Sequence, residues 1–197
     1  MDNKAERLDH KVIVDWVALK SRVLDLGCGD GVLLSQLIEK KSCQCTGIEI
    51  DEKVIYHCFE KGLTVAHGDI DTGLSEYSNK RFDYVILNES LQQVLNPQKV
   101  ILEALRVGKK VITGIPNFCH AQARVQIFFQ GHVPVTKELP YQWYDTPNLR
   151  FLSLKDFRLF CKNNGITILK EQGISNNSLI PVFPNLFATM GLYLLEK

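Results

Sequence analysis

Hydrophobic and polar positions along the chain follow two alternating periods, one typical of helices and one typical of strands. Apolar residues recur at helical spacing from Leu8 to Leu19 and predict a helix near the start of the chain. Beyond it, short apolar runs alternate with helical patterns. The following seven runs are predicted to be strands: Arg22–Leu26, Gln44–Ile50, Leu63–His67, Phe82–Asn88, Lys109–Ile115, Ile166–Ile174 and Leu186–Leu195.

The residues that begin and end the intervening helices are typical of helix termini. Gly62 is a stop signal after a predicted helix over Glu52–Lys61. Pro97 is a good first-turn residue for the helix that ends near Gly108. Ser153 is a plausible N-cap for a later helix, since its hydroxyl can accept a hydrogen bond from a first-turn N–H.

This alternation predicts an α/β protein whose mainly parallel sheet is covered by helices on both faces. In such sheets, ligands bind beyond the carboxyl ends of the strands, near the point where the strand order reverses. We therefore expect a site at the turn that follows the first strand, over residues 27–31.

One stretch, residues 116–152, breaks the alternation. Four of the seven prolines lie within it, and half of the 18 aromatic residues lie in the interval Phe118–Phe160. Its part Ala121–Gln130 is compatible with a helix. Long connections without regular structure are uncommon in compact domains and are more often functional than idle. We expect one domain over residues 1–197 that carries this stretch as an insertion.

The composition is that of an ordinary globular protein. Of the 197 residues, 45% are apolar and 23% are charged, and 23 Lys and Arg face 22 Asp and Glu for a net charge of +1. That balance argues against a nucleic-acid-binding protein, and no apolar run approaches the roughly 20 residues of a membrane span. Residues 1–6 lack the apolar stretch of a signal peptide. We expect a cytoplasmic protein without nucleic-acid or membrane partners.

The six cysteines and five histidines have no recognisable metal-binding spacing. No two cysteines form a C-x-x-C, and Cys43 and Cys45 are predicted to be small side chains on one strand. The histidines show no H-E-x-x-H or comparable pattern. In a reducing compartment the cysteines stay thiols, so the sequence predicts no metal.

The turn after the first strand is rich in glycine, and residues 23–31 read V-L-D-L-G-C-G-D-G. Glycine permits positive φ and the close approach of a ligand to the backbone, and the helix that follows offers unpaired N–H groups. Val32 stands where a dinucleotide fingerprint would have its third glycine, and the Gly-Lys-Ser/Thr of a P-loop is absent from the sequence. A tight turn without a ligand is one interpretation; an adenosyl ligand that is not a pyrophosphate is the other.

That turn resembles motif I of the class I S-adenosylmethionine (SAM)-dependent methyltransferases. The resemblance implies that the glycine turn packs on the methionyl part of S-adenosyl-L-methionine or S-adenosyl-L-homocysteine (SAH), with Asp25 near its ammonium group. It implies that Glu49 accepts hydrogen bonds from the ribose hydroxyls. Asp69 would accept one from the adenine amino group, Ile70 would pack on the ring, and Asn88 would line the methionine end. The implied cofactor-binding set is Asp25, Gly27, Cys28, Gly29, Gly31, Glu49, Ile50, Asp69, Ile70 and Asn88.

Four further segments make the resemblance more specific. They read G-D-I-D-T-G-L over 68–74, L-N-E-S-L-Q-Q over 87–93, I-P-N-F over 115–118 and P-V-T-x-x-L-P-Y-Q-W-Y-D-T-P-N over 134–148. Together they resemble the MetW methionine-biosynthesis family over nearly the whole chain, Val12–Leu194. The last segment is the most specific, because general methyltransferases lack it. The chain departs from the family at Ala121, where an aromatic residue is usual, and in its more acidic residues 88–90.

The MetW resemblance implies a Rossmann-like class I methyltransferase fold, with a mainly parallel seven-stranded sheet, a terminal antiparallel strand and helices on both faces. It also implies a SAM-binding accessory subunit that supports homoserine O-acyltransferase (MetX). SAM is the downstream product of methionine synthesis, so a SAM site suggests end-product sensing. In that scheme the ligand would order residues 116–147 and change the affinity for the enzyme.

Methyl transfer from a sulfonium needs little beyond alignment and exclusion of water, and a base only where the acceptor must lose a proton. Polar side chains expected near the cleft are Glu89, His120, Tyr141, Tyr144 and Asp145. His120 could act as a base or be an exposed or structurally bonded histidine. Tyr141, Trp143 and Tyr144 could form a lid, a partner-binding patch or a satellite hydrophobic cluster. We assign no catalytic residue from the sequence.

Two functions remain open at this point. The first is the SAM-binding accessory subunit of homoserine O-acyltransferase, and the alternative is a SAM-dependent methyltransferase that acts on an unknown small molecule. Modification of nucleic acid is disfavoured by the charge balance. It is also disfavoured because residues 88–91 read N-E-S-L, where an amino-directed nucleobase methyltransferase would have (Asn/Asp)-Pro-Pro-(Tyr/Phe).

Overall fold

The computed structural model of the protein describes residues 7–136 and 139–197. Its strands are β1 (Arg22–Leu26), β2 (Gln44–Glu49), β3 (Val65–His67), β4 (Phe82–Asn88), β5 (Gly108–Pro116), β6 (Thr167–Ser175), β7 (Ser178–Ile180) and β8 (Met190–Glu196). Its α-helices are α1 (Leu8–Trp16), α2 (Val32–Lys41), α3 (Glu52–Glu60), α4 (Pro97–Val107), α5 (Ala121–Gln130), α6 (Leu154–Asn163) and α7 (Pro184–Phe187). Two 3₁₀ helices, Ile70–Thr72 and Leu91–Gln93, follow β3 and β4.

The strands form one sheet in the order β3-β2-β1-β4-β5-β8-β6-β7. Strands β1 to β5 pair in parallel, whereas β8 is antiparallel to both of its neighbours, β5 and β6. The chain runs outward from β1 to β3 and then returns to β4 on the other side of β1. The strand order therefore reverses between β1 and β4, and a crevice is expected at their carboxyl ends.

The sheet has eight strands rather than the expected seven. The additional strand, β7, forms a hairpin with β6 through Asn176 and Asn177, whose φ angles of 46° and 57° suit a two-residue turn. Residues 175–185 read as a polar, proline-containing link between two strands, so the sequence did not indicate a strand there. The expected strand Leu186–Leu195 was also too long, because Pro184 begins a one-turn helix and the strand starts at Met190.

Side chains from the two faces of the sheet form separate hydrophobic clusters, because successive strand residues point to opposite faces. On one face, Leu24 packs with residues of α4 and α6 such as Ile101 and Phe157. On the other face, Val23 packs with residues of α1 and α2, of which Ile13 is an example. Helices therefore cover both faces, as predicted.

The helix termini expected at Gly62, Pro97 and Ser153 are confirmed. Gly62 follows the last turn of α3 with a positive φ of 72°, and Pro97 begins α4. Ser153 and Asp156 form a reciprocal capping box at the start of α6. Within the described ranges, no helix is long and apolar enough to span a bilayer.

The insertion after β5 begins with α5, which spans the residues that the sequence indicated. The Gln126 side chain donates to the carbonyl of Val135 and accepts from its N–H, so the chain beyond α5 folds back along the helix. Residues 139–151 have no regular secondary structure. Their C-terminal end is fixed by the N–H groups of Leu149 and Arg150, which both donate to the carbonyl of Gln92.

Candidate functional site

A cavity of about 410 Å³ opens at the carboxyl ends of the parallel strands. Its walls come from four segments that follow or end β1 to β4. They are Gly27, Ile48–Ile50, residues 68–71 and a segment after β4 that contributes Glu89, Ser90, Gln93 and Val94. The cavity therefore lies at the reversal of strand order, where the sequence predicted a site.

Gly27 forms the floor of this cavity and has the positive φ that favours glycine, +77°. Its N–H donates to the carbonyl of Ile48, which fixes the turn against β2. A Cβ at this position would lie 2.9 Å from the Cβ of Ser90. A side chain there would therefore close the space between the turn and the segment after β4. Gly29 and Gly31, in contrast, do not line the cavity.

The Glu49 carboxylate faces the cavity and is held by three backbone N–H groups. Its Oε1 accepts from Ile50 at 2.8 Å and from Asp51 at 3.1 Å, and its Oε2 accepts from Gly29 at 2.9 Å. A carboxylate has about four acceptor sites. One acceptor site on Oε2 therefore remains for a hydroxyl of a ligand. The Glu49 side chain also joins the glycine turn to β2, because it accepts from Gly29 as well as from Ile50 and Asp51.

Asp69, Ile70 and Ile50 form another part of the cavity wall. Asp69 Oδ1 accepts from the N–H of Asp71 at 2.9 Å and caps the short helix that Ile70 begins. The neighbouring Asp71 carboxylate accepts from the N–H groups at 95 and 96, at 2.8 and 2.9 Å, and joins this wall to the start of α4. The wall thus combines two isoleucine side chains with a carboxylate, a surface suited to a flat ring that carries an amino group.

Asp25 and Cys28 lie behind the glycine turn and do not line the cavity. Asp25 is buried in β1, and burial together with the charge of Glu49 raises its pKa to about 7. Cys28 is also buried, which raises the pKa of its thiol well above the usual range. A Cβ on Gly47 would lie 2.5 Å from its Sγ, so Cys28 packs between the turn and β2. The thiol is therefore a neutral packing group.

Asn88 ends β4 beside a charged group that the sequence analysis missed. Its Nδ2 donates to Asp9 Oδ2 at 2.9 Å, and Arg7 donates to both Asp9 and Glu89. Burial alone would raise the pKa of Asp9. Hydrogen bonds from Arg7 and Asn88 outweigh that effect and hold this pKa below its usual value. Arg7 and Glu89 are 82 positions apart in sequence, so no local pattern could have indicated this contact.

Glu89 lines the first cavity and also a second one, of about 190 Å³. The walls of the second cavity include Arg7 and Asp9, the hairpin turn at Asn176 and Asn177, and the start of β8. Leu8 N–H donates to Asn177 Oδ1, which ties α1 to the turn. Glu89 is therefore part of the wall of both cavities.

Among the residues that the structure describes, one buried polar atom of the cavity lining, Ser90 Oγ, has no hydrogen-bond partner. Asn88 Oδ1 is also without a partner there, but Asn88 does not line the cavity, and its Oδ1 lies beside Gly114 on β5. Buried polar atoms are normally paired, so such atoms beside a cavity point to a polar ligand or water. With the space that a Cβ on Gly27 would fill and the carboxylates of Glu49 and Asp69, this chemistry fits an adenosyl ligand with a polar amino-acid end.

The other side chains expected near the cleft do not line the cavity. His120 is buried beside α5 and lines a different hollow, near Ser175. Tyr141, Trp143 and Tyr144 are exposed and do not cover the cavity in this structure. They therefore form neither a closed lid nor a buried satellite cluster. Of the interpretations offered for these three side chains, the partner-binding patch is compatible with their exposure.

Comparison with known families and proteins decides the relationship. A family model described as "Methionine biosynthesis protein MetW" matches residues 7–195. The chain belongs to the MetW family. Its resemblance to that family, inferred from the sequence, is thereby confirmed.

Relatives of this chain include a methionine biosynthesis protein and an O-methyltransferase. The chain is 33% identical over 160 residues to "Bifunctional methionine biosynthesis protein MetXA/MetW" of Rhodopirellula baltica, covering 77% of this chain and 26% of that protein. The MetW-family chain thus spans about a quarter of that relative. It is also 26% identical over 185 residues to "Ubiquinone biosynthesis O-methyltransferase" of Aromatoleum aromaticum, covering 86% of this chain and 76% of that protein.

Solved structures share the fold. A SAM-dependent methyltransferase from Archaeoglobus fulgidus superposes with a TM-score of 0.67 at 15% identity, covering 96% of this chain and 91% of the other. Phosphoethanolamine N-methyltransferase 2 of Haemonchus contortus gives a TM-score of 0.70 at 13% identity, covering 96% of this chain and 51% of the other. The Rossmann-like methyltransferase fold is confirmed for this MetW-family protein.

Proposed function

We propose that this MetW-family chain binds SAM or SAH in the cavity above Gly27. Glu49 Oε2 would accept a hydrogen bond from a ribose hydroxyl, and Asp69 one from the adenine amino group. Ile50 and Ile70 would pack on the ring. When bound, the ligand brings a sulfonium or thioether centre and an amino-acid end. The support is the arrangement of these side chains around one cavity and the unpaired Ser90 Oγ in its lining.

Asp25 and Asn88 would act at the amino-acid end of the ligand. A buried carboxyl whose pKa is near 7 is readily ionised by a neighbouring cation. The ammonium group of the ligand would thus stabilise the charged form of Asp25 through the glycine turn. Cys28, Gly29 and Gly31 would act indirectly, by fixing the turn in the shape that leaves Gly27 open.

We propose that the loaded chain works as an accessory subunit of homoserine O-acyltransferase. The observation that carries this proposal is the relative whose name joins MetXA and MetW in one polypeptide. Two units that occur as one chain in one organism commonly work together as separate chains in another. Ligand binding would change the affinity for the acyltransferase, and by linkage the acyltransferase would change the ligand affinity by the same factor.

The test is an assay of the acyltransferase from the same organism, alone and with an equimolar amount of this chain. We expect the two proteins to copurify and the acyltransferase activity to rise when the chain is present. Serum albumin at the same concentration is the control for non-specific protection. Equal activity with and without the chain would refute the accessory role.

Methyl transfer to a small molecule is the second candidate function. It is favoured by the second cavity, which shares Glu89 with the first and could receive an acceptor beside the ligand. The 26% identity to an O-methyltransferase over most of the chain supports it too. The measurement is formation of SAH from SAM over a panel of small metabolites. Turnover with one acceptor would favour this candidate, and no turnover over the panel would leave the accessory role preferred.

A further inference from the structure

A loop of the insertion, residues 139–151, exposes an unusual amount of aromatic surface. We call it the aromatic loop. Trp143 is 73% exposed and Tyr144 is 70% exposed, and their rings are in edge-to-face contact with centroids 5.6 Å apart. Tyr141, Leu149 and Phe151 of the same loop are exposed as well. Large apolar side chains gathered on one exposed segment mark an interaction site more often than an inert surface.

The charge of the aromatic loop is typical of the centre of a protein interface. Only Asp145 and Arg150 are charged among its 13 residues. Arg150 donates to the carbonyls of Leu149, at 3.0 Å, and Leu95, at 2.6 Å. Interface centres are enriched in Tyr, Trp and Phe and depleted of charge, whereas surfaces that bind membranes add several lysine or arginine side chains. The loop therefore fits a protein partner better than a lipid surface.

A groove of about 320 Å³ adjoins the loop and could receive a side chain of the partner. Phe151 lines this groove and is also exposed on the loop, where its ring packs on Phe118 with centroids 4.3 Å apart. Buried Leu91, Ile101 and Phe157 give the groove an apolar floor. Aromatic side chains beside an apolar groove are the combination from which the strongest contacts of an interface are usually built.

The aromatic loop is also fixed to the wall of the adenosyl cavity. Two N–H groups, of Leu149 and Arg150, donate to the carbonyl of Gln92 at 2.9 and 3.2 Å. Gln93 and Val94, the next residues along the chain, line the cavity. The segment after β4 therefore contacts the ligand space on one side and holds the aromatic loop on the other.

We infer that the aromatic loop is the surface that docks homoserine O-acyltransferase. This inference rests on the proposed function, because the partner is taken from the relative that joins both units in one polypeptide. Trp143 and Tyr144 would supply the central contacts, and the groove beside Phe151 would receive an apolar side chain of the acyltransferase. Because the aromatic loop is attached to the cavity wall, the conformation of the loop would depend on whether the cavity contains a ligand.

The test compares two double variants of the full chain for binding to the purified acyltransferase by biolayer interferometry. W143A/Y144A removes the two most exposed aromatic side chains of the loop. Y56A/F59A is the matched control, because it removes two exposed aromatic side chains from α3, on the other side of β1 in the sheet. We expect W143A/Y144A to raise the Kd for the acyltransferase by about tenfold or more and Y56A/F59A to leave it unchanged. The affinity of both variants for SAH should stay at the wild-type value.

The outcomes separate this inference from the proposed function. A wild-type chain that does not bind the acyltransferase would overturn both. Wild-type binding that W143A/Y144A does not weaken would overturn the docking surface alone. The docking surface would also be overturned if W143A/Y144A left the acyltransferase affinity unchanged and abolished self-association instead. Loss of binding to vesicles of phosphatidylethanolamine and phosphatidylglycerol, again with unchanged acyltransferase affinity, would have the same meaning. If the double variant fails to fold by circular dichroism, W143A alone replaces it under the same criteria.

Discussion

Gly27 lies so close to Ser90 that no side chain fits between them, and this contact makes one substitution informative. In G27A the new Cβ would stand 2.9 Å from Ser90 Cβ, so the floor of the cavity must rise or its wall must move. Gly62 has a similar φ, +72° against +77°, but a Cβ there would meet nothing within 4 Å. G62A therefore reproduces the backbone strain of G27A without filling the cavity.

We expect both alanine variants to lose stability, by roughly 1–2 kcal/mol for a left-handed residue that gains a Cβ. Only G27A should lose affinity for SAH, by about tenfold, which corresponds to about 1.4 kcal/mol. Thermal unfolding and isothermal titration calorimetry measure the two effects. A G27A variant that binds SAH as tightly as G62A would contradict the placement of the ligand.

Asp25 predicts how the stability of the ligand-free protein depends on pH. Its pKa is about 7 in the folded state and about 3.9 in the unfolded state, so the folded state binds more protons between these values. The free energy of unfolding therefore falls as the pH rises through that window, by up to about 1.4 kcal/mol per pH unit. In D25N this contribution is absent.

The measurement is urea unfolding of the wild type and of D25N at pH 5, 6, 7 and 8. We expect the stability of D25N relative to the wild type to increase from pH 5 to pH 7 and then to level off. D83N is the control. The pKa of Asp83 lies below its usual value, owing first to the N–H of Arg22 and then to Lys109. Asp83 is therefore ionised throughout this pH range, and the difference in stability between D83N and the wild type should not vary from pH 5 to pH 8. A difference between wild type and D25N that does not vary with pH would contradict the assigned state of Asp25.

Among the elements, the segment after β4 has the most consequences, because it joins the cavity to the aromatic loop. Arg150 strengthens this junction through its hydrogen bond to the carbonyl of Leu95. We expect R150A to leave SAH binding almost unchanged but to reduce the factor by which SAH alters acyltransferase affinity. The reduction should be about 0.5–2 kcal/mol in coupling free energy.

The coupling is measured as the ratio of acyltransferase Kd values with and without saturating SAH. R158A is the control, since Arg158 pairs with Glu171 on β6 and contacts neither the cavity nor the aromatic loop among the described residues. Coupling that R150A leaves at the wild-type value would show that the junction does not transmit the state of the cavity.

Much of the fold could be predicted from the sequence, because short apolar runs rich in β-branched and aromatic residues alternate with helical patterns. Arg22–Leu26 and Phe82–Asn88 were predicted to the residue, and α5 was found where its helical pattern lies. The hairpin strand β7 and the one-turn helix α7 were missed. β7 lies in a polar, proline-containing stretch, and α7 overlaps the start of the expected strand Leu186–Leu195, so the sequence pattern indicated neither element.

The candidate site could be predicted only where its residues adjoin strand ends. Gly27 directly follows β1, Glu49 ends β2 and Asp69 lies two residues after β3, so the motif and the topology brought them to one cavity. The contacts of Arg7 and Asp9 with the end of β4 join positions about 80 residues apart, and no local signal marks them. Proximity of this kind is decided by how α1 packs on the sheet, which the sequence pattern does not specify.

At the scale of the whole molecule, the two proposed sites are the cavity for an adenosyl ligand and the aromatic loop for the acyltransferase. They share the segment after β4 as a common wall. Linkage requires each site to change the affinity of the other by the same factor. If the chain only methylated a small molecule, SAH and the acyltransferase would not be expected to change each other's affinity for it.

The most direct test is therefore calorimetric titration of SAH into this chain, alone and in the presence of saturating homoserine O-acyltransferase. We expect SAH to bind in both cases, with a Kd that differs between them by about fivefold or more. The same factor should separate the acyltransferase affinities measured with and without SAH. An absence of SAH binding, or a Kd that the acyltransferase leaves unchanged, would contradict the account.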